Sequence, residues 1–247
     1  MKKIFTLIAL LGLVLGAMAQ GQYFYEWKDG KYIQRSLSEI DSITFSLPET
    51  PHQKEYKHVD LGLPSGTLWA DRNVAADSPE AYGDYFAWGE TATKSTYDFS
   101  TYKWCKGSDN TMTKYCINSN NGTVDNKTVL DLEDDAAYVN MGTEWRMPTA
   151  DEQRELLSEC TWVWTTQNGT YGYKITGPNG NSIFLPAAGY INNKSTLKAA
   201  GSYGCYWSSS LNEVNSTYAW KLYFYSDSHT TGPDVRHYGR PVRAVAR

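Results

Sequence analysis

The sequence is poor in the residues from which catalytic and metal sites are usually built, with only 4 His and 4 Cys among 247 residues. The histidines stand apart at His52, His58, His229 and His237, and no Cys-x-x-Cys pair occurs, so no zinc-type ligand set is spelled out. Basic charge is not in excess either. With 23 Lys+Arg against 27 Asp+Glu the net charge is -4. Nucleic-acid affinity rests on basic groups that release counterions from phosphates, so a nucleic acid is excluded as a partner. There is no Gly-x-Ser-x-Gly, no phosphate loop, no paired Cys–His and no His-Glu-x-x-His. The chain therefore reads as a non-enzyme with no catalytic residue, no cofactor and no metal. The one long apolar run, Ile4 to Leu15, is shorter than the ~20 residues that a spanning helix needs, so no transmembrane segment is expected.

That run does fit an export signal. Lys2 and Lys3 form a positive start, and Ala17-Met18-Ala19 supplies a small-x-small cleavage pattern, with cutting expected after Ala19. Residues 1–19 are thus read as a signal peptide and the mature protein as extracytoplasmic. Export would place the cysteines in an oxidising setting. Cys105 and Cys116 flank a polar stretch and are the disulfide candidates; buried free thiols are the alternative, most of all for Cys160 on a helix.

What the sequence has in quantity is apolar and aromatic residues. Apolar residues make up 41%, including 19 Tyr, 9 Trp and 7 Phe, a composition that can build a substantial core. Residues 20–47 read as a small β unit. Tyr23-Phe-Tyr-Glu-Trp27 and Tyr32-Ile-Gln-Arg35 flank an Asp-Gly turn, and Ile40 to Phe45 gives a third strand. Three short strands bury too little to stand alone, so this unit must dock on the main domain or on another protein, offering its edges for strand pairing. Residues 48–56, with Pro48 and Pro51, form a linker, and residues 57–247 a second domain.

In that domain residues 89–128 are polar and read as an irregular surface excursion. One helix is expected from Glu133 to Met141. A second follows Thr149, which with Glu152 completes a capping box and turns Leu156, Leu157 and Cys160 inward. Gly177 to Gly180 joins Tyr173–Thr176 to Ser182–Leu185 as a hairpin. Few helices and many short antiparallel strands make the fold class α+β.

The C-terminal segment carries the candidate site. In Tyr218-Ala-Trp-Lys-Leu-Tyr-Phe-Tyr225, alternation puts Trp220, Leu222 and Phe224 on a core face and Lys221, Tyr223 and Tyr225 toward solvent. Tyrosines offer apolar area and a hydroxyl at small entropic cost, which suits a binding face. The segment from Ser226 to Arg240 then reads as a loop with a mixed hydrogen-bonding repertoire. The ligand-binding candidates are Lys221, Tyr223, Tyr225, His229, Asp234, His237, Tyr238 and Arg240. An ordinary polar surface covering a core edge is the competing reading.

Six ordered motifs carry a resemblance: Val59-Asp-Leu-Gly-Leu-Pro-Ser-Gly-Thr-Leu-Trp69, Tyr82-Gly-Asp-Tyr-Phe-Ala-Trp-Gly-Glu90, Trp145-Arg-Met-Pro-Thr149, Phe184-Leu-Pro-Ala-Ala-Gly189, Tyr206-Trp-Ser-Ser-Ser210 and Gly239-Arg-Pro-Val-Arg243. Over residues 57–247 the chain resembles the Fibrobacter succinogenes major paralogous domain, common in exported proteins of gut Bacteroidetes. The resemblance implies a C-type-lectin-like fold whose chain ends meet and whose irregular loops form a binding face for a protein or a glycan. Calcium-holding Glu-Pro-Asn, Gln-Pro-Asp and Trp-Asn-Asp tripeptides do not occur, nor does the cysteine pair of formylglycine-generating enzymes. The implied fold is also used by variable proteins of diversity-generating retroelements, and Tyr223, Tyr225, His229, Asp234, His237 and Tyr238 are residue types their mutation can reach. The expected function is an exported recognition or adhesion module, secreted, periplasmic or at the cell surface; the alternative is a structural or assembly subunit of a cell-surface complex that works through residues 20–47.

Overall fold

The structure, a computed structural model, describes the backbone of Tyr23–Lys28 and Lys31–Ser36, together with residues 55–192 and 196–246. The chain divides into two compact units, residues 1–52 and 53–247. In the first, β1 (Tyr23–Lys28) and β2 (Lys31–Ser36) pair antiparallel with Lys28 opposite Lys31, the register that a two-residue connection dictates. The expected strand at Ile40 to Phe45 and most of the linker lie outside the described residues.

The second unit is α+β. It opens with β3 (His58–Asp60) and β4 (Leu68–Ala70), and the last strand, β13 (Val245–Ala246), pairs with β4 so that the two ends of the unit share one sheet. The β3–β4 connection turns through Gly62 and Gly66, both at positive φ, and a Cβ on Gly62 would lie 2.9 Å from the Asn179 side chain. Only glycine meets both conditions without strain.

The helix expected from Glu133 to Met141 is split. A 3-10 turn, Leu132–Asp134, precedes α1 (Ala136–Met141), because Asp135 is extended and caps α1 by accepting from the Ala137 and Tyr138 N–H groups. Its carboxylate also accepts from Met147 N at 2.8 Å, so one buried Asp ties the helix start to the following turn. The second helix, α2 (Ala150–Glu159), has the capping box that Thr149 and Glu152 foretell. Arg146 adds a two-pronged ion pair to Glu152. Leu156 is fully buried, and Leu157 and Cys160, the latter at the C-terminal cap, pack at the edge of the same core cluster.

Three antiparallel strands follow: β5 (Thr161–Gln167), β6 (Thr170–Thr176) and β7 (Ser182–Pro186), in the order β5-β6-β7. The β6–β7 hairpin matches the sequence reading. Strand β5 escapes that reading, although Asn168-Gly169, both at positive φ, marks its turn. A small pair, β8 (Tyr190–Asn192) and β9 (Thr196–Lys198), leads to the last sheet. That sheet contains β10 (Gly204–Leu211), β11 (Tyr218–Tyr225) and β12 (Ser228–Val235), with β11 in the centre. Ser228–Val235 is therefore a strand and not the expected loop. Gly232 and Pro233 obscure it in sequence, yet a proline is tolerated on an edge strand, where one N–H can be spared.

Apolar clusters lie on both faces of this sheet. Leu222, Phe224 and Tyr206 pack with Leu156, Tyr173, Ile175 and Leu185 on one side. Trp207 and Ala219 join Trp88, Trp145 and Val242 on the other. The stretch 89–128 is irregular as expected, but it is no mere surface excursion: Tyr97, Tyr102, Met112 and Cys116 form a third buried cluster. All four cysteines are free, which corrects the Cys105–Cys116 disulfide. The thiols of these two residues donate instead to nearby carbonyls, Cys105 to Phe99 and Cys116 to Asn118. No helix among the described residues is long and apolar enough to cross a membrane.

Candidate functional site

A cleft of about 210 Å³ opens where β8, the start of β10, the end of β11 and β12 converge, lined by Tyr190, Ala199, Tyr203, Tyr225, Asp234, Tyr238 and Arg240. Larger hollows exist, one of about 450 Å³ beside Arg154 and Trp220 and one of about 340 Å³ beside Val59 and Lys174. The smaller cleft is distinguished by chemistry, because two buried cations and a half-buried carboxylate lie beneath a wall of aromatic rings.

The rings are placed by backbone. Ile191 and Gly239 exchange N–H···O bonds at 2.8 and 2.9 Å, which sets Tyr190 beside Tyr238 with centroids 6.0 Å apart. Gly189, at positive φ, lets β8 approach Lys198, whose carbonyl would be 2.0 Å from any Cβ there. Tyr203 precedes β10 and packs on Tyr225 at 4.7 Å and on Tyr190 at 5.9 Å. Tyr225 is 49% exposed and forms the open lip of the cleft, and Tyr223 is half-buried with its ring against Gly232.

Below the rings is a charge cluster on one face of the last sheet. The register puts Lys221 opposite Trp207, Tyr223 opposite Cys205 and Ala219 opposite Asp234. Asp234 Oδ2 accepts from Arg240 Nη2 at 2.6 Å and pairs with Lys221 Nζ at 3.4 Å, while its Oδ1 accepts from Val235 N at 2.8 Å. Arg240 Nη1 lies 2.7 Å from Cys205 Sγ, and that thiol donates to Gly189 O at 3.3 Å. Burial pushes the Cys205 pKa up, so the group stays a neutral thiol despite the nearby cations. Burial, joined by the like charge of Arg240, pulls the Lys221 pKa below its ordinary value against the opposing pull of Asp234. Arg240 also faces the rings of Trp207 at 4.7 Å, Tyr190 at 5.5 Å and Tyr238 at 5.7 Å.

The eight sequence candidates separate into groups. Tyr225, Asp234, Tyr238 and Arg240 line the cleft, with Tyr223 at its side. Lys221 belongs to the same face but is 5% exposed, which corrects its assignment to solvent. The sheet is covered on both faces at its centre, so alternation gave the side of the strand correctly without giving the depth. Arg240 is likewise buried, at 1% exposure, and reaches the cleft from below. His229 sits on the opposite face, paired with Phe224 and stacked on Trp162 at 4.7 Å. His237 is buried against Phe99, 4.2 Å between centroids, and burial lowers its pKa to about 4. Neither histidine joins the cleft. Sequence reasoning missed Tyr190 and Tyr203. Their signal was a tyrosine beside each of two glycines, Gly189, which lets the Lys198 backbone approach, and Gly204, which leaves room for the Phe224 ring.

One other charge cluster needs assigning. Asp131, Glu133 and Asp134 bring carboxylate oxygens within 4.8 Å of one another. Lys114 Nζ already lies 2.6 Å from Asp131 and 2.7 Å from Asp134, and Lys103 Nζ lies 3.0 Å from Asp134. Ammonium groups occupy the place a cation would take.

A family model described as a domain of unknown function (DUF8237) matches residues 161–245, a span that contains every residue of the cleft. No curated protein and no solved structure matches the chain.

Proposed function

We propose that the chain is an exported bacterial recognition module of C-type-lectin-like architecture that captures a macromolecular ligand in the tyrosine-lined cleft. The observation that carries this reading is the convergence of Tyr190, Tyr203, Tyr225 and Tyr238 over Asp234 and Arg240. Aromatic walls with a few fixed polar groups are the usual make-up of a ligand site. The meeting of the unit's two ends in one sheet and the irregular stretch 89–128 support the lectin-like architecture. The basic start, apolar run and Ala17-Met18-Ala19 support export. Residue types that adenine-directed diversification can reach line the cleft at Tyr225, Asp234 and Tyr238, which supports kinship with the variable proteins of retroelements.

The test is capture from glycan and peptide arrays by the mature protein and by a Tyr225→Ala/Tyr238→Ala variant. Loss of the captured signals by tenfold or more, with an unchanged melting temperature, is the expected result. Equal capture by a folded double variant removes the cleft from the account.

The second reading, an assembly subunit, draws on the β1–β2 pair, which is bonded to no third strand among the described residues. Deletion of residues 20–47 would then abolish assembly and leave capture intact.

A further inference from the structure

The groups around the cleft are unequal in their hydrogen-bonding state. The acceptors of Asp234 are engaged: Oδ1 by the Val235 N–H and Oδ2 by Arg240 and Lys221. The donors are not. The hydroxyls of Tyr190, Tyr203, Tyr225 and Tyr238 make no hydrogen bond among the described residues. Arg240 Nε is buried without a partner, and Lys221 Nζ has Asp234 as its one ion-pair partner among them. Two buried cations share a single carboxylate. Cys205 contributes no compensating charge, since its sulfur donates to Gly189 O as a thiol, and His237 turns to Phe99. A buried cation without a full counter-charge is costly, and the cheapest remedy open to the site is an anion entering from the cleft.

We propose that the cleft anchors its ligand by a carboxylate carried on a sugar ring, the anion facing Arg240 and the Lys221 side of the cluster while the tyrosine hydroxyls donate to the remaining oxygens. The inference rests on the recognition reading above and gives it a ligand class. A sugar acid fits better than an acidic peptide side chain because a cleft of about 210 Å³ holds roughly one ring, and its walls are tyrosines. Their faces meet C–H groups and their hydroxyls meet ring oxygens, whereas a carboxymethyl group would leave most of those donors unspent. Neutral sugars satisfy the phenols and leave the excess positive charge unmatched.

The experiment follows tyrosine ring signals in a ¹³C-tyrosine-labelled mature protein by NMR while D-glucuronate, D-glucose or N-acetyl-L-glutamate is added. The proposal expects saturable shifts of Tyr203, Tyr225 and Tyr238 with glucuronate, and affinity for glucose and for acetylglutamate at least tenfold weaker. Lys221→Met leaves Arg240 and Asp234 matched one to one and should weaken glucuronate at least tenfold without loss of fold, which the retained shift dispersion reports. Glucose binding as tightly as glucuronate overturns the anion claim and leaves the recognition cleft standing. Acetylglutamate binding as tightly overturns the choice of a sugar. Full glucuronate affinity in a folded Lys221→Met protein, or no saturable shift with any probe, overturns the proposal, while the array comparison of the tyrosine variants judges the cleft independently.

Discussion

Arg236 and Arg243 on one side, and Arg240 on the other, are the same residue type at the same depth, yet their surroundings differ. Arg243 is caged by Asn73 Oδ1 and the carbonyls of Ala70, Asp71 and Phe184. Arg236 meets the Tyr102 hydroxyl and the carbonyls of Tyr115, Ser216 and Lys114. Both side chains spread their charge over neutral acceptors and link loops to strands. Arg240 has a thiol, half a share of one carboxylate and an unpartnered Nε, and it lies under an open cleft. Burial alone therefore does not distinguish a structural arginine from one that, on the proposal above, faces a ligand. The completeness of its hydrogen bonds does.

The comparison can be broken most forcefully at Arg243. Arg243→Met should cost about 4 kcal/mol in chemical denaturation, because several buried carbonyls lose their donor and the tie between the end of β4, residues 71–73 and β7 is lost. Arg240→Met should cost less, about 1–2 kcal/mol, since Lys221 stays to neutralise Asp234. An equal loss at the two positions would show that Arg240 is as structural as Arg243.

His237, between Arg236 and Arg240 in the chain, sharpens the contrast through pH. Burial depresses its native pKa from 6.5 to about 4. Between those values the unfolded chain binds the proton that the native state refuses, so stability falls as pH drops from 6.5 toward 4 and the penalty is constant below that. The full effect is at most ~3.5 kcal/mol, since each pKa unit is worth ~1.4 kcal/mol. His237→Gln should flatten that part of the stability–pH curve. A variant with the same slope as the natural protein assigns the slope to other groups.

A smaller effect is expected from Thr149→Ala, about 1 kcal/mol, by loss of the α2 cap. The smallest stability change is expected at Lys221. Replacing a buried, half-matched ammonium by Met should leave the melting temperature unchanged or raise it slightly. A strong destabilisation there would move Lys221 into the structural class with Arg236 and Arg243.

The local chemistry was legible in the residues. Thr149 and Glu152 announce α2 because both halves of the capping box lie within four residues, and the Asp-Gly between β1 and β2 sets a hairpin register in the same way. Alternation in Tyr218–Tyr225 correctly divides Leu222 and Phe224 from Tyr223 and Tyr225. It could not say that a second apolar layer, with Trp207 and Trp88, covers the lysine's side of the sheet, because period two encodes which side and not how deep. Tyr190 and Tyr203 were invisible as site residues for a related reason. They reach the cleft through the Ile191–Gly239 bridge and the turn at Ala199, pairings between segments that share no local pattern. Residues 89–128 look like a solvated loop by composition, yet a few well-spaced aromatics are enough to give the stretch its own core.

The central claim, that the cleft sits above a cluster with one positive charge too many, can be measured without knowing the natural ligand. The Lys221 side chain, assigned by comparison with Lys221→Met, can be followed by NMR across alkaline pH with and without D-glucuronate. The account predicts titration below the ordinary lysine value of 10.5 in the free protein and a rise when glucuronate saturates the cleft. A Lys221 that titrates at or above 10.5 and does not respond to glucuronate would contradict it.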